Sequence, residues 1–310
     1  MNISLWRLTH LWLAIITSLF LLIASVTGAI LSFEPIYEQS FGYKVEAADQ
    51  LTLAALHTTV SENYLEVLSL ERDHNGYVKL TVLDEEGEST FFIDPFTGER
   101  MGEVFSTLDV FEFSRTLHRS LFLGKVGRFL VGITSVFFMI MAFTGFVLIL
   151  IKQGGFKAYF KKVIKHEFYA DYHTKLGKVF IVTNIIISVT GGYLFLDRFT
   201  EIGKVKGEHQ IDFTNLNESP LQAPGEFEIF KNTKLGDLKS ITFPFAEFVD
   251  EFYDLKLHSG EYLINQITGE VVSKIDYGLP VRLAGLSFEW HTAEGHPWWA
   301  ALLGISSLNI

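Results

Sequence analysis

Three stretches of this chain are too long and too apolar to be buried comfortably in a soluble core: Leu11–Leu31, Phe129–Ile151 and Val179–Leu196. A helix crosses a hydrocarbon core of about 30 Å with roughly 20 residues. The first two runs meet that length, and the third meets it if its helix begins near His173. A fourth run, Trp298–Leu308, is too short as the chain stands. Lipid offers no hydrogen bonds, so these runs must be helices that satisfy their own backbone. The surrounding composition agrees, with 48% hydrophobic residues, 29 Phe and a mean hydropathy of +0.27.

Charge orients the helices. The segment Lys152–Asp171 holds Lys152, Lys157, Lys161, Lys162 and Lys165 against Glu167 and Asp171, which predicts a cytoplasmic loop. Ser32–Leu117 carries 17 acidic and 5 basic residues, and Asp197–Trp290 carries 16 and 9. Three spans then place both acidic segments outside and the N-terminus inside. The net charge of −11 comes from these segments and speaks against nucleic-acid binding. The first apolar run, 21 residues without an Ala-x-Ala site, reads as a retained helix rather than a cleaved signal peptide.

Four histidines stand just ahead of these runs: His10, His118, His173 and His291. His10 precedes Gly28 by 18 residues and His173 precedes Gly191 by 18. Eighteen residues at about 100° each make five helical turns, so each His shares a face with its Gly. Histidines at the mouths of membrane helices invite a functional explanation, and axial ligation of haem iron fits best. The chain has no cysteine, which excludes thiolate metal sites and covalent haem attachment. His10 and His173 begin outward-running helices, whereas His118 and His291 begin inward-running ones. The expected pairs are therefore His10 with His173 and His118 with His291, giving two non-covalent bis-His haems b in a helical bundle.

Arg7, Lys175, Lys178, Arg115, Arg119, Lys125 and Arg128 lie near these histidines. Haem propionates need such partners, although snorkelling at the interface is the plainer role for any one of them. Gly28 and Gly191 let a ring or a helix approach closely. His296 competes with His291, and His166 shares the Lys-rich loop. His57, His74, His209 and His258 read as surface residues of the exported segments. No nucleophile elbow, His-Glu-x-x-His or phosphate loop is present, so no catalytic residue is assigned.

The chain also looks duplicated. His10 to His118 spans 108 residues and His173 to His291 spans 118, and both exported segments end in Thr-Gly-Glu, at Thr97–Glu99 and Thr268–Glu270. Leu51–Tyr64 suggests a helix, with strands at Tyr77–Leu83, Ser89–Ile93, Phe248–Leu257 and Glu261–Ile267. Ile211–Pro224 suggests a loop. The predicted fold is a transmembrane bundle of three full helices and a shorter fourth, carrying two extracytoplasmic α+β domains. In order these are helix 1 (1–31), first domain (32–117), interfacial segment and helix 2 (118–151), basic loop (152–171), helix 3 (172–196), second domain (197–290) and the start of helix 4 (291–310).

The ordered set His10…Thr27-Gly28, His118…Thr144-Gly145, His173…Thr190-Gly191 and Asp94–Glu99 resembles the PepSY-associated transmembrane family. That resemblance implies a bacterial inner-membrane protein with periplasmic PepSY-like domains, and some relatives are haem-containing ferric-siderophore reductases. It also leads one to expect a further Thr-Gly pair in helix 4, beyond the last residue given. The leading expectation is electron transfer across the bilayer from a cytoplasmic flavin reductase or quinol to a ferric siderophore or other external acceptor. The alternative is a membrane-anchored binding or regulatory module whose exported domains dock a peptidase or another protein.

Overall fold

The computed structural model describes residues 3–85, 87–161, 168–205, 207–213, 216–246, 248 and 250–309. Lys162, Lys165, His166 and Glu167, named above for the basic loop, lie outside them. The chain divides into two compact units. One comprises Met1–Glu38, Thr107–Gly203 and Leu283–Ile310, and the other comprises Gln39–Ser106 and Lys204–Arg282.

The first unit is helical. Its long helices are α1 (Ile3–Leu31), α5 (Gly124–Gln153) and α6 (Phe168–Phe199), with the shorter α4 (Asp109–Ser120), α8 (Leu279–Thr292) and α9 (Pro297–Ser307) beside them. α1, α5 and α6 are long and apolar enough to cross a membrane. In α1, Leu8, Leu11, Trp12, Ile15, Leu19 and Leu22 are exposed at helical spacing, a stripe that lipid would cover. The opposite side packs through small residues. A Cβ at Gly132 would overlap the Phe195 ring, so α5 and α6 meet closely there. Ser306 of α9 donates to Asn184 Oδ1 of α6 at 2.9 Å, and Ser25 of α1 donates to the Ser307 carbonyl. The polar side chain deep in the third span thus makes a helix–helix bond.

Two boundaries differ from those read in the sequence. α6 begins at Phe168 rather than at 172, which brings the marginal third span to 32 residues. His118 and His291 do not open the helices that follow them: they lie near the ends of α4 and α8, each followed by a sharp break. Leu121 and Phe122 (φ 50° and 58°) turn α4 into α5, and Ala293 (φ 60°) with Gly295 turns α8 toward α9. Apolar content alone concealed these short helices, because α4 mixes charged and apolar residues.

The second unit corrects the expectation of two separate domains. Among the described residues, eight strands form one antiparallel sheet in the order β4-β3-β2-β1-β5-β6-β7-β8. They are β1 (Val67–Arg72), β2 (Val78–Asp84), β3 (Gly87–Ile93), β4 (Arg100–Glu103), β5 (Leu238–Thr242), β6 (Phe252–Leu257), β7 (Gly260–Asn265) and β8 (Val271–Asp276). The halves join where β1 pairs with β5, Leu70 opposite Ile241. Alternation sets the buried face: Val78, Leu80 and Val82 point inward from β2, and Tyr253, Leu255 and Leu257 from β6. Helices α3 (Leu53–Asn63) and α7 (Glu228–Asn232) add Leu53, Leu56, Val60 and Phe230 to the same core. One core from both segments explains why neither is a domain alone: each half-sheet would otherwise leave an unpaired central edge.

The duplicated Thr-Gly-Glu motifs form matching turns in this unit. Asp94 Oδ1 accepts from the Phe96 and Thr97 amides at 2.8 and 3.3 Å, and Asn265 Oδ1 from Ile267 and Thr268 at 2.7 and 3.1 Å. Gly98 (φ 74°) and Gly269 (φ 72°) occupy the left-handed position that follows. His57, expected at a surface, is instead buried on α3 at 7% exposure. Its Nε2 lies 3.1 Å from the Tyr253 hydroxyl and its ring stacks on Phe243.

Candidate functional site

Four helices of the helical unit each present one histidine. His10 of α1 and His173 of α6 have ring centroids 6.2 Å apart with 61° between planes. His118 of α4 and His291 of α8 repeat the spacing, 6.2 Å and 55°. Two imidazole–metal bonds of about 2 Å each, plus about 1 Å from nitrogen to ring centre on each side, span roughly 6 Å. The ring separation at each pair therefore matches that of two imidazoles sharing one metal atom. Among the described residues no group of three or more His, Asp or Glu could hold an ion by itself. A metal at either pair would need further ligands besides the two histidines.

A third element holds most of the rings. His118 Nδ1 lies 2.9 Å from Thr27 Oγ1 of α1, His291 Nδ1 lies 3.1 Å from Thr190 Oγ1 of α6, and His10 Nδ1 lies 3.0 Å from Thr144 Oγ1 of α5. The glycine after each threonine makes room for the ring. A Cβ would stand 3.4 Å from His118 Cε1 at Gly28, 3.1 Å from His291 Cε1 at Gly191 and 3.1 Å from His10 Cε1 at Gly145. Each Thr-Gly pair is thus a seat for a histidine of another helix. Gly28 and Gly191 serve the far pair and not the histidine of their own helix. His173 is exposed, and no hydrogen bond reaches its ring among the described residues.

This exchange fixes the distance between the pairs. His10 and Gly28 stand 18 residues apart in α1, and His173 and Gly191 stand 18 apart in α6. At 1.5 Å per residue each interval is about 27 Å, close to the roughly 30 Å of a hydrocarbon core. The His10/His173 pair and the His118/His291 pair therefore lie at opposite ends of the bundle.

The predicted cations separate into two groups. Arg115 is taken up by an ion pair with Glu34, and Lys178 donates to the Lys161 carbonyl at 2.7 Å beside the Tyr159 ring. Arg7 and Lys125 are exposed and Lys175 is half-buried. Arg119 lies among Arg128, Arg115 and Arg198, and burial with these guanidinium neighbours lowers its pKa. Arg128 Nε is buried with no hydrogen-bond partner among the described residues. Of this arginine cluster beside His118, only Arg115 has a carboxylate partner, Glu34, among the described residues.

His296, the competitor of His291, caps α9 and bonds Glu289 at 2.9 Å; it does not join the pair. Sequence reasoning did not place Thr27, Thr144, Gly145, Thr190 or Arg198 in the site. Four of these were visible as parts of a recurrent Thr-Gly late in the apolar runs, but which ring each pair holds depends on a different helix.

A family model described as "PepSY-associated TM region" matches residues 7–310. No curated protein is similar to this chain at a significant level.

Proposed function

This chain belongs to the PepSY-associated transmembrane family, and we propose that it is a di-haem electron-transfer protein of the membrane. The observation that carries the proposal is the repetition of one histidine pair, at one ring separation, at both ends of a membrane-length bundle. His10 with His173 and His118 with His291 would hold the two groups, and a porphyrin would provide the remaining ligands that the protein lacks. Arg119, Arg128 and Arg198 supply cationic partners for propionates near His118, where Arg128 Nε is otherwise left bare. Arg7 and Lys175 do so at the other end.

Bound haem with two histidine ligands supplies a one-electron couple with no open coordination position, which favours electron transfer over oxygen binding. The protein's part is to hold the rings, keep lipid and water apart from them and bias the local charge. Lysine placement makes the His10/His173 end cytoplasmic, where a flavin reductase or quinol would be the donor. The His118/His291 end would face a periplasm outside a bacterial inner membrane. A ferric siderophore suits it as acceptor, because reduction to Fe(II) weakens a hard-oxygen chelate.

The test is a visible spectrum of detergent-purified protein from haem-replete cells, oxidised and reduced. Two low-spin haems are expected. His10→Ala and His173→Ala should remove the same one, and His118→Ala and His291→Ala the other. Absence of haem would favour the membrane-anchored docking module instead. Reporter fusions at Gly76 and Gly155 should report opposite sides of the membrane; matching sides would sink the assigned direction.

A further inference from the structure

The three threonines that touch histidines do so with their hydroxyl protons already committed. Thr27 Oγ1 lies 2.6 Å from the Ile23 carbonyl and Thr190 Oγ1 lies 2.7 Å from the Ile186 carbonyl. A carbonyl oxygen cannot donate, so in each case the hydroxyl is the donor. What the hydroxyl then offers the imidazole is a lone pair. The contacts of 2.9 Å to His118 Nδ1 and 3.1 Å to His291 Nδ1 therefore require a proton on Nδ1.

His10 reaches the same state by a second route. Its Nδ1 lies 3.1 Å from the Met141 carbonyl as well as 3.0 Å from Thr144 Oγ1, which itself donates to Met141 at 3.0 Å. Only an Nδ1–H satisfies the carbonyl. At the other two seats the threonine hydroxyl also lies near the carbonyl three residues before it, Thr27 Oγ1 at 3.3 Å from Ala24 and Thr190 Oγ1 at 3.1 Å from Ile187. Met141 stands three residues before Thr144, so one turn of helix presents both acceptors to His10.

We propose that Thr27, Thr144 and Thr190 are positioning residues, each clamping a histidine of another helix as its Nδ1–H tautomer and leaving Nε2 as the bare, metal-ready nitrogen. A neutral imidazole whose N–H donates is a stronger base at its other nitrogen, so the clamp orients the ring and raises its donor strength together. The glycine beside each threonine completes the seat, because the ring edge occupies the space of a Cβ. The tautomer follows from geometry alone; only the effect on a metal rests on the haem reading.

Two measurements on the full-length chain in detergent test this. In haem-free protein labelled with ¹⁵N-histidine, long-range ¹H–¹⁵N correlations should show Nδ1–H at His10, His118 and His291. An Nε2–H tautomer at any of the three overturns the clamp there, whether or not the protein ever binds haem. In haem-loaded protein, Thr27→Val and Thr190→Val should raise the midpoint potential of one haem and leave the other unchanged. Thr144→Val should raise only the other, and Thr→Ser at each position should restore the wild-type value. Loosening a ligand's outer partner also weakens metal retention about 10- to 100-fold, read as faster haem transfer to apomyoglobin. Unchanged potentials and transfer rates in all three valine variants, with the far-UV spectrum of the sheet intact, would overturn the positioning role. Failure of the wild type to take up haem would overturn the proposed function and leave the tautomer to be judged by the first measurement.

Discussion

Thr-Gly occurs in both units of this molecule and does different work in each. In the sheet unit, Thr97-Gly98 and Thr268-Gly269 close turns, with glycine in the left-handed region and threonine oxygen accepting from the Glu99 and Glu270 amides. In the helical unit, Thr27-Gly28, Thr144-Gly145 and Thr190-Gly191 lie inside regular helix, and φ plays no part. There the glycine is used for its missing Cβ, and the threonine oxygen serves a ring from another helix. One dipeptide is read by its own backbone in the first region and by a distant side chain in the second. Histidine shows the same division: His57 is a core residue bonded to Tyr253, while His10 pairs with His173 and His118 with His291, ring to ring across helices.

The largest effect should come from breaking the turn use. Gly269→Ala places a side chain at φ 72°, costing about 1–2 kcal/mol. The new Cβ also overlaps the Phe227 ring, which adds about 1–3 kcal/mol of overpacking. The sheet should melt earlier by far-UV circular dichroism, while any haem spectrum is unchanged. Wild-type melting would contradict the turn assignment.

Next comes the pH response of the sheet unit. Burial lowers the pKa of His57 from 6.5 to about 4. The unfolded chain therefore binds a proton that the folded unit refuses as pH falls from about 6.5 to 4. Stability declines through that window by up to about 3 kcal/mol and then levels off. His57→Gln should flatten this part of the curve in denaturant titrations between pH 7 and pH 4. An equally steep decline in the variant would assign the acid sensitivity to other groups.

Breaking the seats should cost less. Gly191→Ala and Gly145→Ala force rings that stand 3.1 Å from the new Cβ, with about 10- to 100-fold weaker haem retention at one pair only. Gly28→Ala meets His118 at 3.4 Å, an ordinary contact, so its effect should be smaller than that of Gly191→Ala. Equal losses from all three would mean that ring clearance does not govern the seat. The smallest difference expected is between the wild-type pairs. His118 and His291 are both clamped, whereas the His10/His173 pair has one clamp. Haem at the His10/His173 pair should exchange somewhat faster, and slower exchange there would break the link between clamping and retention.

Much of the site was legible because helical spacing is local. Eighteen residues between His10 and Gly28 fixed a length, and the lysines of 152–171 gave an expected direction, so the pairing of ends could be reasoned from one strand of text. The arginines were harder. Arg198 belongs to the cluster around Arg119 only because the last turn of α6 ends beside α4, and no spacing in the sequence links the two. His57 was misplaced because a polar residue in an amphipathic helix reads as exposed until its partner, Tyr253, is known.

By itself the sequence determined the three membrane helices, the four histidines that head toward them, and the repeated landmarks of a duplicated chain. These follow from hydropathy, helical periodicity and turn chemistry, all of which act between near neighbours. Only the tertiary structure decided that the two segments outside the long helices share one sheet, that His291 rather than His296 meets His118, and that each Thr-Gly pair of the helices holds a histidine from elsewhere. Strand pairing and ring seating join residues about 90 to 170 positions apart. Such contacts are set by how whole helices and strands pack, which no local pattern encodes.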